Sequence, residues 1–320
     1  MVGTSNMNPL HITCSSQHAS LHVIRVLLEG GLIQQTQMRD VDGDTPLHNA
    51  CRCGAPIEVL EILLRAYPDA VNQRDYEGMT PLVRLWVRYF VILGNDVIQN
   101  FKGPNDMTGE LGEAWSKTEL LLRCAYHGPL PPEGTDLPPF SVVHAAAAVD
   151  CPRPVVRIAT IIYPHQVMEQ DKEGCTPLMV AAKSPIYKVR DLSDAGYMLE
   201  DQIHGDVTPD YDNILEDEDT SGQPSVIDIL LEASTQAARI RDSSGRLPVH
   251  LALKTGKRWN QGVKELIRCY PEGLHVPGPS TKLVPFQLAA WGTKTDLNTL
   301  FECVREHPSM LSSVNLDKLC

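Results

Sequence analysis

The chain has 320 residues, of which 42% are hydrophobic and 21% are charged, a composition typical of an ordinary soluble protein. Its N-terminus lacks a basic start and an apolar run, so we expect no signal peptide. No stretch approaches the roughly 18 uncharged apolar residues that a membrane helix needs, so we expect no membrane span. The nine scattered cysteines include no CxxC pair, which favours an intracellular location, in the cytoplasm first and the nucleus as the alternative.

The net charge of −12 argues against a nucleic-acid binder, because such a protein must neutralise phosphates. The charge is unevenly placed: residues 186–224 hold eleven Asp and Glu against two Lys and Arg, a net charge of −9. We expect disorder in the turn-rich residues 205–224. Two interpretations stay open for them: a solvated loop, or a regulatory element that is phosphorylated at Thr208 or Thr220 or folds back over basic positions.

A short motif recurs along the chain, beginning with a weak copy, Asn-Pro-Leu-His, at residues 8–11. The first full copy, Asp-x-x-Gly-x-Thr-Pro-Leu-His, starts at Asp40, and its Asp-x-x-Gly-x-x-Pro core recurs at Asp75, Asp171 and Asp242. Two further weak copies lie at 141–144 and 284–287. Neighbouring copies are 35–37 residues apart, except for gaps of 61 and 71 residues that each indicate one period plus an insertion.

The motif predicts a tight turn that leads into a helix. Glycine supplies the positive φ of such a turn, and the Asp side chain can accept hydrogen bonds from nearby backbone N–H groups. Thr45 then caps a helix whose first residue is Pro46, where the missing N–H of proline does little harm. A second helix follows from Pro56, and its apolar stripe would be buried jointly by stacked neighbours; the stripe comprises Ile57, Leu60, Leu63 and Leu64.

Asp40, Asp42 and Asp44 could suggest a calcium loop, and His48 followed by Cys51 and Cys53 could suggest zinc. The other copies contradict both interpretations, because a metal site cannot exchange its ligands freely. We therefore expect neither a metal nor a cofactor. The position of Asp42 holds Glu77, Glu173 and Ser244 elsewhere; that of Asp44 holds Met79, Cys175 and Arg246; and that of His48 holds Val83, Met179 and Gln287.

The pattern Asp-x-x-Gly-x-Thr-Pro-Leu-His-x-Ala, followed by a Leu-Leu-containing helix, resembles the ankyrin repeat. The resemblance implies an all-α solenoid of stacked helix-turn-helix units joined by finger-like β-turns, as one domain over residues 1–320. The second helices depart from the family in that several end at Tyr-Pro or His-Pro, where proline serves as the stop; these pairs are Tyr67-Pro68, Tyr163-Pro164, Tyr270-Pro271 and His307-Pro308. The seven expected repeats are 6–37, 38–71, 72–126 with an insertion at 87–114, 138–167, 168–235 with an acidic insertion at 186–224, 238–274 and 275–312.

Both insertions are expected to leave the chain between the two helices of a repeat. In the third repeat we expect the first helix to continue into the insertion and the chain to fold back through Gly103-Pro104, with the second helix starting at Trp115. Five aromatic residues lie near this insertion. They would pack it onto the solenoid or, alternatively, form an exposed docking patch; they are Trp86, Tyr89, Phe90, Phe101 and Trp115.

No nucleophile elbow, phosphate-binding loop or metalloprotease motif occurs in the sequence. By resemblance we expect a non-enzymatic scaffold, a monomer that binds a partner protein through a concave face of turns and first helices. The alternative is a regulatory subunit or a fragment of an enzyme-linked ankyrin protein. The resemblance assigns partner contacts to Val41, Asp42, Asp44, Arg52, Tyr76, Glu77, Met79, Arg88, Lys172, Glu173, Cys175, Lys183, Ser243, Ser244, Arg246 and Lys254, with Tyr76 and the arginines as the strongest anchors.

Two further features have competing interpretations. His144, followed by four alanines, could be catalytic, but we expect it to be the structural histidine of its repeat. The basic residues Lys254, Lys257 and Arg258 beside Trp259 could attract an acidic peptide or act as a nuclear signal. We expect them instead to form a solvated helix end.

Overall fold

The computed structural model describes residues 7–93, 100–132, 134–135, 139–185, 224–291, 296–306 and 308. Within these ranges every regular element is helical, and the all-α class is confirmed. No helix in the described ranges is both long and apolar enough to cross a membrane. The α-helices of these ranges are α1 Pro9–Cys14, α2 Leu21–Glu29, α3 Pro46–Cys53, α4 Ile57–Ala66, α5 Pro81–Leu93, α6 Gly109–His127, α7 Val142–Ala148, α8 Arg153–Ile162, α9 Pro177–Lys183, α10 Val226–Ala233, α11 Pro248–Lys254, α12 Lys264–Cys269, α13 Pro285–Trp291 and α14 Leu297–Glu306.

The odd-numbered helices are the first helices of their repeats. All of them begin with the proline of the motif except α7, which begins at Val142. Thr45 has extended backbone (φ −84°, ψ 164°) and caps α3, whose first residue is Pro46. Asn8 caps α1 in the same way, with its Oδ1 accepting the backbone N–H of His11 at 3.0 Å. Proline thus starts these helices because its ring fixes a helical φ at a position that needs no donor.

Three of the second helices, α4, α8 and α12, end as predicted at a Tyr-Pro pair. The helix α4 stops at Ala66, and Pro68 opens a 3₁₀ turn, Pro68–Asn72. The same arrangement follows α8 and α12, where Pro164 and Pro271 begin the 3₁₀ turns Pro164–Met168 and Pro271–His275. Each turn then carries the chain back towards the next repeat.

The third repeat differs from the others in its length. The helix α5 runs on to Leu93, as expected, and a 3₁₀ turn at Pro104–Asp106 precedes the return helix. That helix, α6, begins at Gly109, six positions before the expected start at Trp115, because Leu111 and Ala114 already belong to its buried face. The acidic insertion lies outside the described residues, apart from Pro224.

The aromatic residues near this insertion are buried, so their packing interpretation is confirmed and the docking patch is wrong. Trp86 is fully buried, and its Nε1–H donates to Thr118 Oγ1 at 2.9 Å. Its ring meets that of Phe90 edge to face, with 6.3 Å between centroids. Tyr89, Phe101 and Trp115 are each at most 5% exposed. The extended α5 is therefore held against α6 by apolar burial.

The chain divides into two compact units within α8, after Ile158. In the first unit α3 packs between α1 and α5, and α5 packs on α6. In the second unit α11 packs between α9 and α13, while α10 packs on α12. Each unit buries the apolar faces of its helices between neighbouring repeats, as expected of repeat architectures.

Candidate interaction surface: fingers and first helices

Four turns carry the Asp-x-x-Gly motif and are called fingers 1 to 4: residues 40–44, 75–79, 171–175 and 242–246. In finger 4, Asp242 Oδ1 accepts the backbone N–H groups of Ser244 and Arg246 at 3.0 and 2.8 Å. The backbone of Asp242 also bonds that of Arg246, with 3.0 Å from N to O. The glycines of the four fingers have φ between 75° and 77°. The predicted role of each residue type in the turn is therefore observed.

Neighbouring fingers are joined by a backbone hydrogen bond. The N–H of Tyr76 donates to the carbonyl oxygen of Asp42 at 3.0 Å, which joins finger 2 to finger 1. The N–H of Ser243 donates to the carbonyl oxygen of Glu173 at 3.0 Å, which joins finger 4 to finger 3. The bond uses equivalent positions in both pairs, so the same contact fixes the spacing of the two fingers in each pair.

The residues before fingers 1 and 3 add a second connection that the sequence analysis missed, whereas Arg74 and Arg241, before fingers 2 and 4, donate to carbonyl oxygens of their own fingers. Gln170 Nε2 donates to the carbonyl oxygens of Gly174 and Arg241, at 2.7 and 3.1 Å. Arg39 Nη1 donates to the carbonyl oxygen of Arg74 at 2.7 Å. The signal was present in the sequence, since Arg, Arg, Gln and Arg stand directly before the four aspartates.

Three of the motif histidines connect their own repeat to the next one. His48 Nδ1 accepts the backbone N–H of Thr45 at 3.1 Å, so the neutral ring carries its proton on Nε2, which lies 3.2 Å from the carbonyl oxygen of Met79. His11 and His250 make the same pair of contacts, reaching the carbonyl oxygens of Asp44 and Val276. Burial lowers the pKa of His48 to about 4, opposed by the Asp75 charge. The expectation of a structural histidine extends to His144, which is buried and lies 2.6 Å from Ser141 Oγ.

The predicted contact residues fall into three groups by exposure. Val41 and Tyr76 are each 54% exposed and occupy equivalent positions in adjacent fingers. Lys172 and Ser243, the equivalent residues of fingers 3 and 4, are exposed and polar. Also exposed are Asp42, Glu173, Ser244 and Lys254, whereas Arg52, Glu77, Arg88, Lys183 and Arg246 are half-buried.

Three predicted positions are wrong as surface contacts. Asp44 and Cys175 are 0% exposed and Met79 is 5% exposed, so none of them can present its side chain to a partner. All three directly follow the glycine of a finger. The backbone amide of this residue bonds the finger Asp, at 2.8 Å for both Met79 and Cys175 and 3.0 Å for Asp44, which closes the turn beneath its tip.

Arg84, which the sequence analysis did not single out, lies at the centre of a buried charged cluster. Its Nε is 2.6 Å from Asp75 Oδ2 and 3.8 Å from Asp44 Oδ1, and its Nη2 is 3.2 Å from Glu77. Arg84 stands nine positions after Asp75, as Asn49, which donates to Asp40 Oδ2 at 3.4 Å, stands nine positions after Asp40. In both repeats the residue nine positions after the finger aspartate donates to its side chain, so this spacing could have identified Arg84 from the sequence.

The cluster shifts the titration of Asp44. Burial raises its pKa to about 7, the charges of Arg84 and Arg52 oppose that shift, and those of Asp75 and Asp40 add to it. Ligand atoms of Asp44, His48 and Asp75 lie within 4.8 Å of one another, close enough in principle to surround an ion. These residues do not fit a metal, because Arg84 already pairs with Asp75 and both ring nitrogens of His48 are engaged.

The basic residues at the end of α11 and directly after it form no uniform patch. Lys254 and Arg258 are exposed, but Lys257 is only 8% exposed and donates to the carbonyl oxygen of Ser184 at 2.9 Å. Burial lowers the pKa of Lys257 to about 8. The expected solvated helix end is therefore wrong for Lys257, which has a structural contact instead.

Repeated helix pairs, glycine turns bonded by aspartate and histidine bridges between repeats define a tandem helical-repeat protein. Residues 2–75 match a family model described as ankyrin repeats (3 copies), and the later repeats have the same turn and helix geometry. Residues 2–75 are thus identified as ankyrin repeats, which confirms the resemblance for this part of the chain. No curated protein sequence matches the chain.

Two solved structures are similar to the chain at low identity. One is a chain from the structure of the Bd0816 predatory endopeptidase from Bdellovibrio bacteriovorus in complex with immunity protein Bd3460, at 14% identity over 82% of this chain and 98% of that chain, with a TM-score of 0.29. The other is the ankyrin repeat domain of Bcl-3, a member of the IkappaB family, at 15% identity over 94% and 99% of the two chains, with a TM-score of 0.33.

Proposed function

We propose that the chain is a non-enzymatic scaffold that binds a partner protein through its fingers and first helices, as a monomer in the cytoplasm. Ankyrin repeats are general protein-interaction modules, which supports the class of activity. The observation that carries the proposal is the pair of exposed apolar side chains, Val41 and Tyr76, at the tips of two bonded fingers.

The geometry of fingers 1 and 2 favours recognition because it is preorganised. The Asp-centred bonds fix each turn, and the bond from Tyr76 N–H to Asp42 fixes the distance between the turns. Little ordering of the backbone is then needed when a partner binds, so more of the contact energy is available as affinity. Tyrosine is among the residues that most often anchor interfaces.

The chemistry of the fingers suggests that the first unit holds the main anchor. Val41 and Tyr76 offer apolar area flanked by the charged Arg39, Asp42 and Glu77. The equivalent positions in the second unit, Lys172 and Ser243, offer charge and hydrogen bonding without apolar area. We infer that a partner places an apolar side chain against fingers 1 and 2.

A capture experiment with three baits tests the proposal. Wild type, a Val41→Ser/Tyr76→Ser variant and a Val26→Ser/Phe301→Ser control are immobilised at equal amounts and exposed to native extract. The control removes apolar groups of similar exposure elsewhere, since Val26 is 53% and Phe301 is 63% exposed. Urea unfolding of all three baits verifies that each is folded.

A protein retained by wild type and the control but lost by the finger variant would support the proposal. Its affinity for purified wild type should then fall at least tenfold with the finger variant, the effect of about 1.4 kcal/mol at a central contact. Retention of the same proteins by all three baits would contradict the assignment to fingers 1 and 2.

A further inference from the structure

The carboxyl group of Asp44 is in an unusual position for an acidic side chain. It is 0% exposed, and neither of its oxygens has a hydrogen-bond donor among the described residues. The nearest cationic atoms are Arg52 Nη2 at 3.5 Å and Arg84 Nε at 3.8 Å. A buried carboxylate without donors is strongly disfavoured, since burial removes its hydration without replacement.

Both arginines near Asp44 are already engaged by other groups. Arg84 bonds Asp75 through Nε at 2.6 Å and pairs with Glu77 at 3.2 Å. Arg52 donates to the side-chain oxygen of Asn49. To stabilise an ionised Asp44, either arginine would have to weaken a contact that holds the finger region.

Among the three buried aspartates of this cluster, Asp44 is the one whose oxygens accept no hydrogen bond from the described residues. Asp40 Oδ1 accepts two backbone N–H groups of finger 1, and Asp75 Oδ1 accepts one of finger 2. Four carboxyl groups face only two guanidinium groups. The titratable and charged groups around Asp44 are Asp40, His48, Arg52 and the thiols of Cys51 and Cys53 in its own repeat, Asp75, Glu77 and Arg84 in the next, and His11, whose ring bonds the Asp44 carbonyl oxygen, in the preceding one.

We propose that Asp44 is a proton-binding site, neutral in the packed repeat junction, and that its ionisation weakens the contact between fingers 1 and 2. A neutral carboxyl group needs no counter-charge, so Arg84 can remain with Asp75 and Glu77. Ionisation makes Asp44 compete with Asp75 and Glu77 for Arg84. The repeat junction is therefore pH-sensitive whether or not a partner binds there.

The direction of the pH effect follows from proton linkage. The folded chain holds the proton of Asp44 up to a pKa of about 7, whereas the unfolded chain releases it near the ordinary value of 3.8. Between these values the folded state binds more protons, so the contribution of Asp44 to stability falls as the pH rises. Below this window the contribution is complete, and above it the loss is constant.

Carbon-13 NMR of full-length chain labelled at the aspartate carboxyl carbons tests the proposal directly. Sequential assignment identifies Asp44 in wild type, so the titration needs no variant. We expect its carboxyl resonance to titrate near neutral pH. Titration in the ordinary acidic range would overturn the proposal, because Asp44 would then be a carboxylate held by Arg52 and Arg84.

Urea unfolding of wild type, Asp44→Asn and an exposed control, Asp42→Asn, gives an independent test. From pH 5.5 to 8 we expect the unfolding equilibrium constant of wild type to rise at least tenfold relative to Asp44→Asn, since one pKa unit corresponds to a factor of ten. Asp42→Asn should follow wild type. Parallel profiles for wild type and Asp44→Asn would overturn the proposal.

A metal ion is the competing explanation for the buried carboxyl group, and the same samples distinguish it. The NMR titration is repeated with a chelator and with added Mg²⁺ or Zn²⁺. An unchanged titration supports the proton site. Stabilisation of wild type by either metal, with loss of the near-neutral titration, would overturn it in favour of a metal site.

Discussion

Lys117 of α6 donates a hydrogen bond from Nζ to the carbonyl oxygen of Gly54, 3.1 Å away, at the C-terminal end of α3. The lysine is fully buried, and its ammonium group also pairs with Glu113 at 2.5 Å. A cation at this place satisfies a carbonyl group that the helix leaves unpaired and favourably meets the negative end of the helix dipole. Lys257 makes the equivalent contact with Ser184, just after α9.

Substitution of Lys117 should destabilise the folded chain, and the loss should be larger for a smaller replacement side chain. We expect Lys117→Ala to lower the free energy of unfolding by on the order of 2–4 kcal/mol, because it creates a cavity and leaves the Gly54 carbonyl unpaired. Lys117→Met fills the space and should lose about half as much. Urea unfolding measures both.

The partner of Lys117 provides the control. Glu113 is 55% exposed at its side chain, so Glu113→Gln should change the free energy of unfolding by less than about 1 kcal/mol. Equal losses for Lys117→Ala and Lys117→Met would contradict the importance of packing at this site.

Protonation of His48 should destabilise the folded chain in acid. Its pKa is lowered to about 4 from 6.5, so between these values the unfolded state binds more protons and stability falls as the pH falls. His48→Gln should remove this contribution, because Gln287 occupies the same slot in the last repeat and accepts the Val284 N–H at 3.1 Å.

The measurement for His48 is urea unfolding of wild type and His48→Gln from pH 7.5 to 4. The variant should lose less stability than wild type over this range. Identical losses would show that the ring is not held neutral by its bonds to Thr45 and Met79. Since Asp44 acts in the opposite direction, the comparison is best made in an Asp44→Asn background.

Alanine substitutions at Gly43 and Gly78 should distinguish the cost of a strained backbone from the cost of a steric clash. Gly43 and Gly78 have φ of 77° and 76°, but a Cβ at Gly43 would lie 2.8 Å from Tyr76, whereas none would meet an atom within 4 Å at Gly78. Gly78→Ala should cost about 1 kcal/mol for the left-handed backbone. Gly43→Ala should cost more, by on the order of 1–3 kcal/mol, because the Tyr76 ring and backbone must move.

Thermal and urea unfolding of the two glycine variants checks this difference. The result also bears on the proposed interface, because displacement of Tyr76 by Gly43→Ala should weaken partner binding while Gly78→Ala should not. A loss of equal size in both variants would argue that Tyr76 does not pack over Gly43.

Thr118 should be needed as the acceptor for the buried indole of Trp86. Thr118→Val keeps the shape but leaves the Trp86 N–H without its acceptor, so we expect a loss of about 1–3 kcal/mol. Thr118→Ser keeps the hydroxyl and should lose less than about 1.5 kcal/mol. Urea unfolding followed by tryptophan fluorescence measures both, and equal losses would contradict the role of the hydroxyl.

The sequence was sufficient for those features that depend on near neighbours in the chain. The Asp bonds, the positive φ of glycine and the proline start of the first helices other than α7 all involve residues within about four positions. A single copy of the motif is therefore enough to predict them. The Tyr-Pro stop and the continuation of α5 are also local, since each depends on whether the next residue can extend a helix.

The exposure of the finger residues could not be derived in the same way. Asp44 follows the exposed Asp42 by only two positions, yet its side chain is buried. Arg84, which lies forty positions later in the chain, packs against it. The bond from Gln170 to Arg241 likewise spans 71 positions. Such contacts depend on how neighbouring repeats pack, and the period alone does not specify which side of a turn the next repeat covers.

The bonds between repeats give the stack a direction. A motif histidine reaches forward, as from His48 to Met79, whereas a finger N–H reaches back, as from Tyr76 to Asp42. Deleting a repeat from the C-terminal side therefore strands an imidazole N–H and a finger carbonyl, while deleting one from the N-terminal side strands a backbone amide and a different carbonyl. Truncations of equal length from the two ends should therefore differ in solubility and folding, because each exposes a different set of unsatisfied polar groups.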